Sequence, residues 1–306
     1  MASPFTTDHT PAIGAAQPLA PGVRVITAPN SGPMTFTGTC SYLVGTTACA
    51  LIDPGPDLPA HRDAILAALG PGQTISHILV THAHLDHSPL ATRLGAELGV
   101  KTYAFGVATD GRSAVMARLA QQGGVGGGEG LDEAFTPDVT LADGDVVEGE
   151  GWALRALHTP GHLASHLSFA LGDLLFSGDH IMGWASTLVS PPDGDVGQFM
   201  ASLDKVEAQG FARLLPGHGP VVEKPGPLIA HLRDHRRARE AQILAHLAKG
   251  PATPQGLTAL IYTDVPKALH GAAARNVLAH LIDLVARGEV RVAGDAIGAT
   301  SLYQLG

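Results

Sequence analysis

Cysteine is scarce in this chain: Cys40 and Cys49 are the only two in 306 residues, which excludes a fold stapled by a disulfide framework. They flank Gly45-Thr46-Thr47, which reads as a hairpin turn between 39–44 and 48–52, so they would lie near each other across a ladder. A reducing cytoplasm keeps such a pair as thiols, and both read as small buried residues. Long apolar runs are missing too. None approaches a membrane span, and residues 1–21 have neither the basic nor the apolar region of a secretion signal. A soluble, cytoplasmic protein with no membrane partner is expected. Positive charge is the third shortage, with 19 Lys and Arg against 28 Asp and Glu and a formal net charge of −9. A long polyanion would meet an acidic body.

Histidine, by contrast, is abundant, with 16 in the chain. His82-Ala83-His84-Leu85-Asp86-His87 concentrates three imidazoles and a carboxylate directly after the apolar run Ile78-Leu79-Val80. If the strand continued through them, His82 and His84 would point the same way, and a tight turn would bring Asp86 and His87 round. Zinc accepts neutral imidazole and carboxylate, and a catalytic zinc keeps one position open for water. Four donors from one loop can serve two ions, so the remaining ligands are expected downstream. Three segments offer them: Thr159-Pro160-Gly161-His162, Phe176-Ser177-Gly178-Asp179 and Leu215-Pro216-Gly217-His218-Gly219. Each sets a His or Asp behind a turn-forming glycine near an apolar run.

These four segments, in this order, resemble the pattern of the metallo-β-lactamase superfamily: HxHxDH, a Gly-His, an Asp and a final His. The resemblance implies that His82, His84 and His162 bind one zinc ion and that Asp86, His87 and His218 bind a second, with Asp179 bridging the two. Manganese or iron would suit the same donors. It also implies an α/β fold, the αββα sandwich, and a hydrolase working through a metal-bridging hydroxide, so that no Ser or Cys nucleophile is required. Asp86, as a ligand with a free second oxygen, is the candidate catalytic proton carrier. Asp53 matches a position that supports the metal loop without binding metal. His158, His166 and His180 lie within a few residues of proposed ligands, where they would orient them. His9, His61, His77, His231, His235, His246, His270 and His280 read as surface or core residues.

Strands are expected near 23–28, 36–44, 48–53, 75–80, 101–105, 152–158, 166–171, 174–178 and 212–215, with helices over 60–69, 89–98 and 196–209. Residues 106–137, which contain the glycine-rich run 123–130, read as a mobile surface loop over the cleft or at its rim. Residues 184–197 follow directly on Asp179 and are expected to touch substrate. The length suggests a main domain with an appendage, divided here as 1–227 and 228–306. In the second part, helices at 228–248, 258–262 and 272–287 precede a hairpin of 289–292 with 302–305. That order resembles a small winged-helix domain, and the C-terminal unit of the group that includes β-lactamase-like protein 2.

A winged helix invites a nucleic-acid role, and charge tests it. Residues 228–306 carry nine Lys and Arg against six Asp and Glu, while residues 1–227 carry ten against twenty-two. The would-be recognition helix, 272–287, offers only Arg275 and Arg287, whereas a polyanion-binding face shows a denser basic cluster. The balance favours a C-terminal domain that packs on the catalytic domain and shapes its cleft. It also favours a small-molecule substrate, an ester, thioester or lactone. Cys40 stands where relatives in the nuclease-containing group typically have Asn, which weakens the carry-over of nuclease activity. Cleavage of single-stranded RNA is the alternative; β-lactam hydrolysis and a metal-stabilised scaffold that binds a partner rank below it.

Overall fold

The structure, a computed structural model, describes residues 4–123, 125, 130–294 and 296–306. Its first sheet takes β1 (Gln17–Ala20), β2 (Val23–Thr27), β3 (Cys40–Val44), β4 (Ala48–Ile52), β5 (Thr74–Leu79), β6 (Thr102–Ala104) and β7 (Val139–Thr140) in chain order. The early strands pair antiparallel, and from β4 to β7 the pairing is parallel. Parallel neighbours need crossovers, and α1 (Pro59–Ala67) and α2 (Pro89–Leu98) supply two of them. Each opens on a proline, whose missing N–H has no partner to lose in the first turn. The second sheet holds β8 (Val146–Gly149), β9 (Trp152–His158), β10 (Leu167–Leu171), β11 (Leu174–Gly178) and β12 (Arg213–Pro216), with α4 (Val196–Gln209) carrying the parallel crossover from β11 to β12.

Between the sheets, Tyr42, Ile52 and Leu79 meet Leu154, Phe169, Phe176 and Leu215. Burying side chains of this size stabilises the sandwich by about 1.5–3 kcal/mol each. Ile65 of α1 and Leu90 and Leu94 of α2 cover the outer face of the first sheet. Phe199 and Leu203 of α4, with Leu228 and Leu232 of α5 (Pro225–Leu247), cover the second. This is the expected αββα order.

Elements α2, α4, β9 and β11 fall on the expected residues. Strands β1, β7 and β8 lie outside the expected strands; the two to four residues of each hold little alternation to read. The expected irregular loop over 106–137 contains a helix, α3 (Ala114–Gln122). Its Met116 and Leu119, with Val125, pack on the C-terminal unit. Of the glycine-rich run, residues 124 and 126–129 lie outside the described residues. That C-terminal unit comprises the end of α5, α6 (Pro254–Ile261), α7 (His270–Ala286) and an antiparallel hairpin of β13 (Val290–Val292) with β14 (Tyr303–Leu305). Helix α7 is not presented to solvent as a recognition helix: Val277, Leu278, Leu281 and Ile282 are buried in its own core, and Ala279 packs among the residues of the catalytic domain. Cys40 and Cys49 are buried free thiols, and among the described residues no helix is long and apolar enough to cross a membrane.

Candidate metal centre

Strand β5 stops at Leu79, so alternation does not aim His82 and His84. A tight turn does: the amide of His84 donates to the carbonyl of His82 (3.1 Å) and that of His87 to the carbonyl of His84 (2.9 Å). The Leu85 amide donates to Gly130 (2.8 Å), and the Ser88 hydroxyl donates to Asp132 (2.7 Å), which ties the turn to the far end of the 106–137 insertion. Asp53 anchors it from below. Its buried carboxylate accepts the amide and hydroxyl of Thr81 (2.7 Å each) and Nδ1 of His87 (3.0 Å). To reach all three, Asp53 adopts a left-handed backbone (φ 48°), a conformation Asp tolerates better than most residues.

The other ligand-type residues follow the ends of β9, β11 and β12: His162, Asp179 and His218. Glycine is needed at one of these turns. A Cβ on Gly217 would lie 2.4 Å from Oδ1 of Asp179 and 2.8 Å from the His87 ring. The folded chain brings all seven expected residues together. The ligand atoms of His82, His84 and His162 lie within 4.8 Å of one another, as do those of Asp86, His87 and His218. Asp179 stands between these triads, with Oδ1 3.6 Å from Nε2 of His87 and Oδ2 3.4 and 3.7 Å from Nε2 of His218 and His162.

Hydrogen bonds decide which ring nitrogens face inward. Carbonyls only accept, so Nδ1 of His162 donates to Leu188 (2.9 Å) and Nδ1 of His218 to Gly38 (3.2 Å). His87 donates Nδ1–H to Asp53, and His82 donates to the Thr81 hydroxyl (3.0 Å), whose own proton goes to Asp53. Each of these four rings therefore turns Nε2 into the site, while His84 presents Nδ1, 3.0 and 3.2 Å from Nε2 of His82 and His162. Inward lone pairs this close, beside a buried Asp179 oxygen with no hydrogen-bond partner, fit a bound cation and little else. Burial and the neighbouring rings push the His82 imidazole well down and His84 to about 3, so both stay neutral donors. Burial opposes charge at the other triad as well, but Asp86, Asp179 and Asp53 raise His87 to about 9, and Asp179 and Asp86 raise His218. His87 and His218 in turn hold the Asp86 carboxyl below its usual range despite its burial.

Among the neighbouring histidines, His166 does orient a ligand segment: its Nε2 accepts the Asp179 amide (3.1 Å) while Nδ1 bonds the Thr159 hydroxyl (2.9 Å). His158 instead bonds the Ala164 carbonyl and stacks on Phe105, and His180 packs edge-on against Phe199. Sequence reasoning missed Thr81, Gly38, Thr187 and Leu188, because the groups that do most of this orienting are backbone carbonyls, which leave no trace in residue type. A cavity of about 380 Å³ reaches His84, Asp86, His162 and Asp179. Its lining includes Met34 and Thr35, Leu188, Ser190 and Asp193, and Ala272 and Arg275 of α7. The segment 184–197 thus reaches the cleft as expected, and so does the C-terminal unit.

Residues 34–218 match the model of the metallo-beta-lactamase superfamily, and residues 253–299 match that of the beta-lactamase associated winged helix domain. A "Beta-lactamase-like protein 2 homolog" of Drosophila melanogaster is 32% identical over 289 residues, which cover 90% of this chain and 91% of that protein. An "Atrochrysone carboxyl ACP thioesterase" of Aspergillus terreus is 29% identical over 255 residues, covering 81% and 70% respectively. The crystal structure of a beta-lactamase domain protein from Burkholderia ambifaria superposes with a TM-score of 0.79 at 23% identity, over 98% of this chain and 96% of the other. It shares the fold.

Proposed function

The chain belongs to the metallo-β-lactamase superfamily and is a hydrolase, and from that premise we propose that it binds two zinc ions and cleaves small acyl thioesters. His82, His84 and His162 would hold one ion, and Asp86, His87 and His218 the other, with Asp179 shared. The donor set also accommodates manganese or iron. Two divalent cations held there would supply Lewis-acid polarisation of the acyl carbonyl and a water of lowered pKa. The chain's own residues do the rest. Asp86 points Oδ2 at His218 (3.2 Å) and itself lines the cleft, which suits it to take a proton and pass it to the leaving thiol. Met34, Leu188 and Ala272 offer the acyl chain an apolar wall, and the α7 side of the cleft excludes water from the reacting carbonyl.

The observation that carries this proposal is the pair of triads joined by Asp179 beneath a partly apolar cleft of small-molecule size. The thioesterase name of the Aspergillus terreus relative supports the acyl class. We take residues 1–227 as the catalytic domain and 228–306 as a winged-helix-like wall, with α5 running through the division. The test is kcat/KM for a small acyl thioester and for a fluorogenic single-stranded RNA, side by side on zinc-loaded protein, with His84→Ala as control. A thioester rate larger by orders of magnitude and lost in the control is expected. Dominant RNA cleavage, equally lost, would replace this substrate class with a phosphodiester.

A further inference from the structure

Arg236 of α5 is 3% exposed, and both of its hydrogen-bond acceptors are neutral. One guanidinium nitrogen donates to Oδ1 of Asn276 on α7 (2.7 Å) and another to the backbone carbonyl of Thr187, while the group lies 5.0 Å from the centre of the Phe199 ring. Burying a guanidinium without a carboxylate is unfavourable, and the chain gains something specific at that position. The Thr187 hydroxyl donates to the carbonyls of Asp179 (2.9 Å) and His180 (3.1 Å). The next residue, Leu188, offers the carbonyl that receives Nδ1–H of His162. One dipeptide therefore fixes the backbone of the shared carboxylate and the tautomer of an imidazole ligand. Arg236 fastens that dipeptide to the C-terminal helices.

We propose that Arg236 is a positioning residue for the metal centre, clamping Thr187-Leu188 so that His162 and Asp179 are held ready for the cation. The winged-helix-like unit then sets the geometry of the site from behind, in addition to walling its cleft. Lysine would not reproduce it, since a single ammonium lacks the two separate guanidinium nitrogens that reach Asn276 and Thr187. The clamp rests on the assignment of His162 and Asp179 as ligands.

The test compares wild type with Arg236→Met, Arg236→Lys, Thr187→Val and the Arg236→Met/Thr187→Val double variant. Arg233→Ala, on the same helix but paired outward with Asp204 and Glu207, serves as control. Zinc affinity by chelator competition, the visible spectrum of the cobalt-substituted protein, and kcat and KM for the thioester are measured on each. Arg236→Met and Thr187→Val are each expected to bind one of two zinc ions about 10–100-fold more weakly, with a shifted cobalt spectrum, lowered kcat and KM within twofold. The double variant should do little more than either alone, because they break one strap, and Arg236→Lys should not rescue. Thr187→Val removes one hydroxyl from a buried site and carries the test if Arg236→Met does not fold. Wild-type zinc binding and kinetics in a folded Thr187→Val protein would overturn the clamp while leaving the dinuclear hydrolase standing. A wild type that binds fewer than two ions would remove the ligand assignment, and the clamp with it.

Discussion

The two triads differ in what braces them. Asp86, His87 and His218 are held by the first sheet and its loops: Asp53 takes Nδ1 of His87, and Gly38 takes Nδ1 of His218. His82 shares that support through Thr81, but His162 hangs from Leu188, in a segment fastened to α5. One half of the centre thus belongs to the sandwich alone, and the other needs the C-terminal helices as well. The second kind of brace makes the metal centre sensitive to how the two domains pack, which a site built within one sandwich would not be.

The largest expected effect lies where the triads meet the substrate. Asp86→Asn keeps a ligand oxygen but cannot carry a proton, so kcat should fall about 10²–10⁴-fold while two zinc ions still bind. Full turnover with both metals retained would remove Asp86 from proton transfer. Asp53→Asn probes the sheet-side brace. It removes the charge that holds Nδ1 of His87 directly and that reaches His82 only through Thr81, so zinc at the Asp86, His87 and His218 triad should weaken about 10–100-fold and the other ion less. Equal loss of both ions in a chelator titration would mean that the triads are not braced separately.

The C-terminal side has its own pH signature. His280 of α7 is buried, and burial with the nearby Arg236, Arg239, His235 and Arg287 pushes it down to about 3 from 6.5, near the carboxylates of Glu240 and Asp283. The unfolded chain binds this proton more readily, so the stability His280 contributes as a neutral group is intact above pH 6.5 and is lost as pH falls toward the folded value. The loss should reach about 2 kcal/mol by pH 5. Urea midpoints of wild type and His280→Leu at pH 7.5 and 5 read it directly: the wild type should lose more on acidification. Equal slopes would place the acid sensitivity elsewhere.

Much of the candidate site was legible because imidazoles and carboxylates, the side chains that suit a metal, crowd into one hexapeptide and recur behind glycine near three later strand ends. His82, His84, Asp86 and His87 could be read in the hexapeptide and His162, Asp179 and His218 behind their glycines, while Asp53 was legible only through the family resemblance. The long periodic elements were legible for a similar reason, since α2 and α4 repeat their apolar residues over several turns. What stayed hidden depends on tertiary contact. Helix α3 is short, and its apolar face has meaning only against α5 to α7. The strap at Thr187 and Leu188 works largely through carbonyls, and Arg236 in the sequence is one arginine among several in an Arg-rich helix.

The smallest effect tests whether the C-terminal unit also selects substrate. Arg275 and Ala272 stand one turn apart on α7 and both line the cleft. Arg275 is the one Lys or Arg among the described residues that line the cleft, in company with the carboxylates of Asp86, Asp179 and Asp193, so removing its charge makes the lining more acidic and disfavours a thioester whose acyl chain ends in a carboxylate over one with a neutral chain. The loss of one such charge at a half-buried position is worth about 1 kcal/mol or less, which corresponds to roughly fivefold in KM. Arg275→Ala should therefore raise KM for a succinyl thioester up to about fivefold, leave a butyryl thioester nearly unchanged, and lose the distinction as salt screens the charge. Equal shifts for the two substrates would confine selectivity to the sandwich, and α7 would then contribute shape and bracing but no charge recognition.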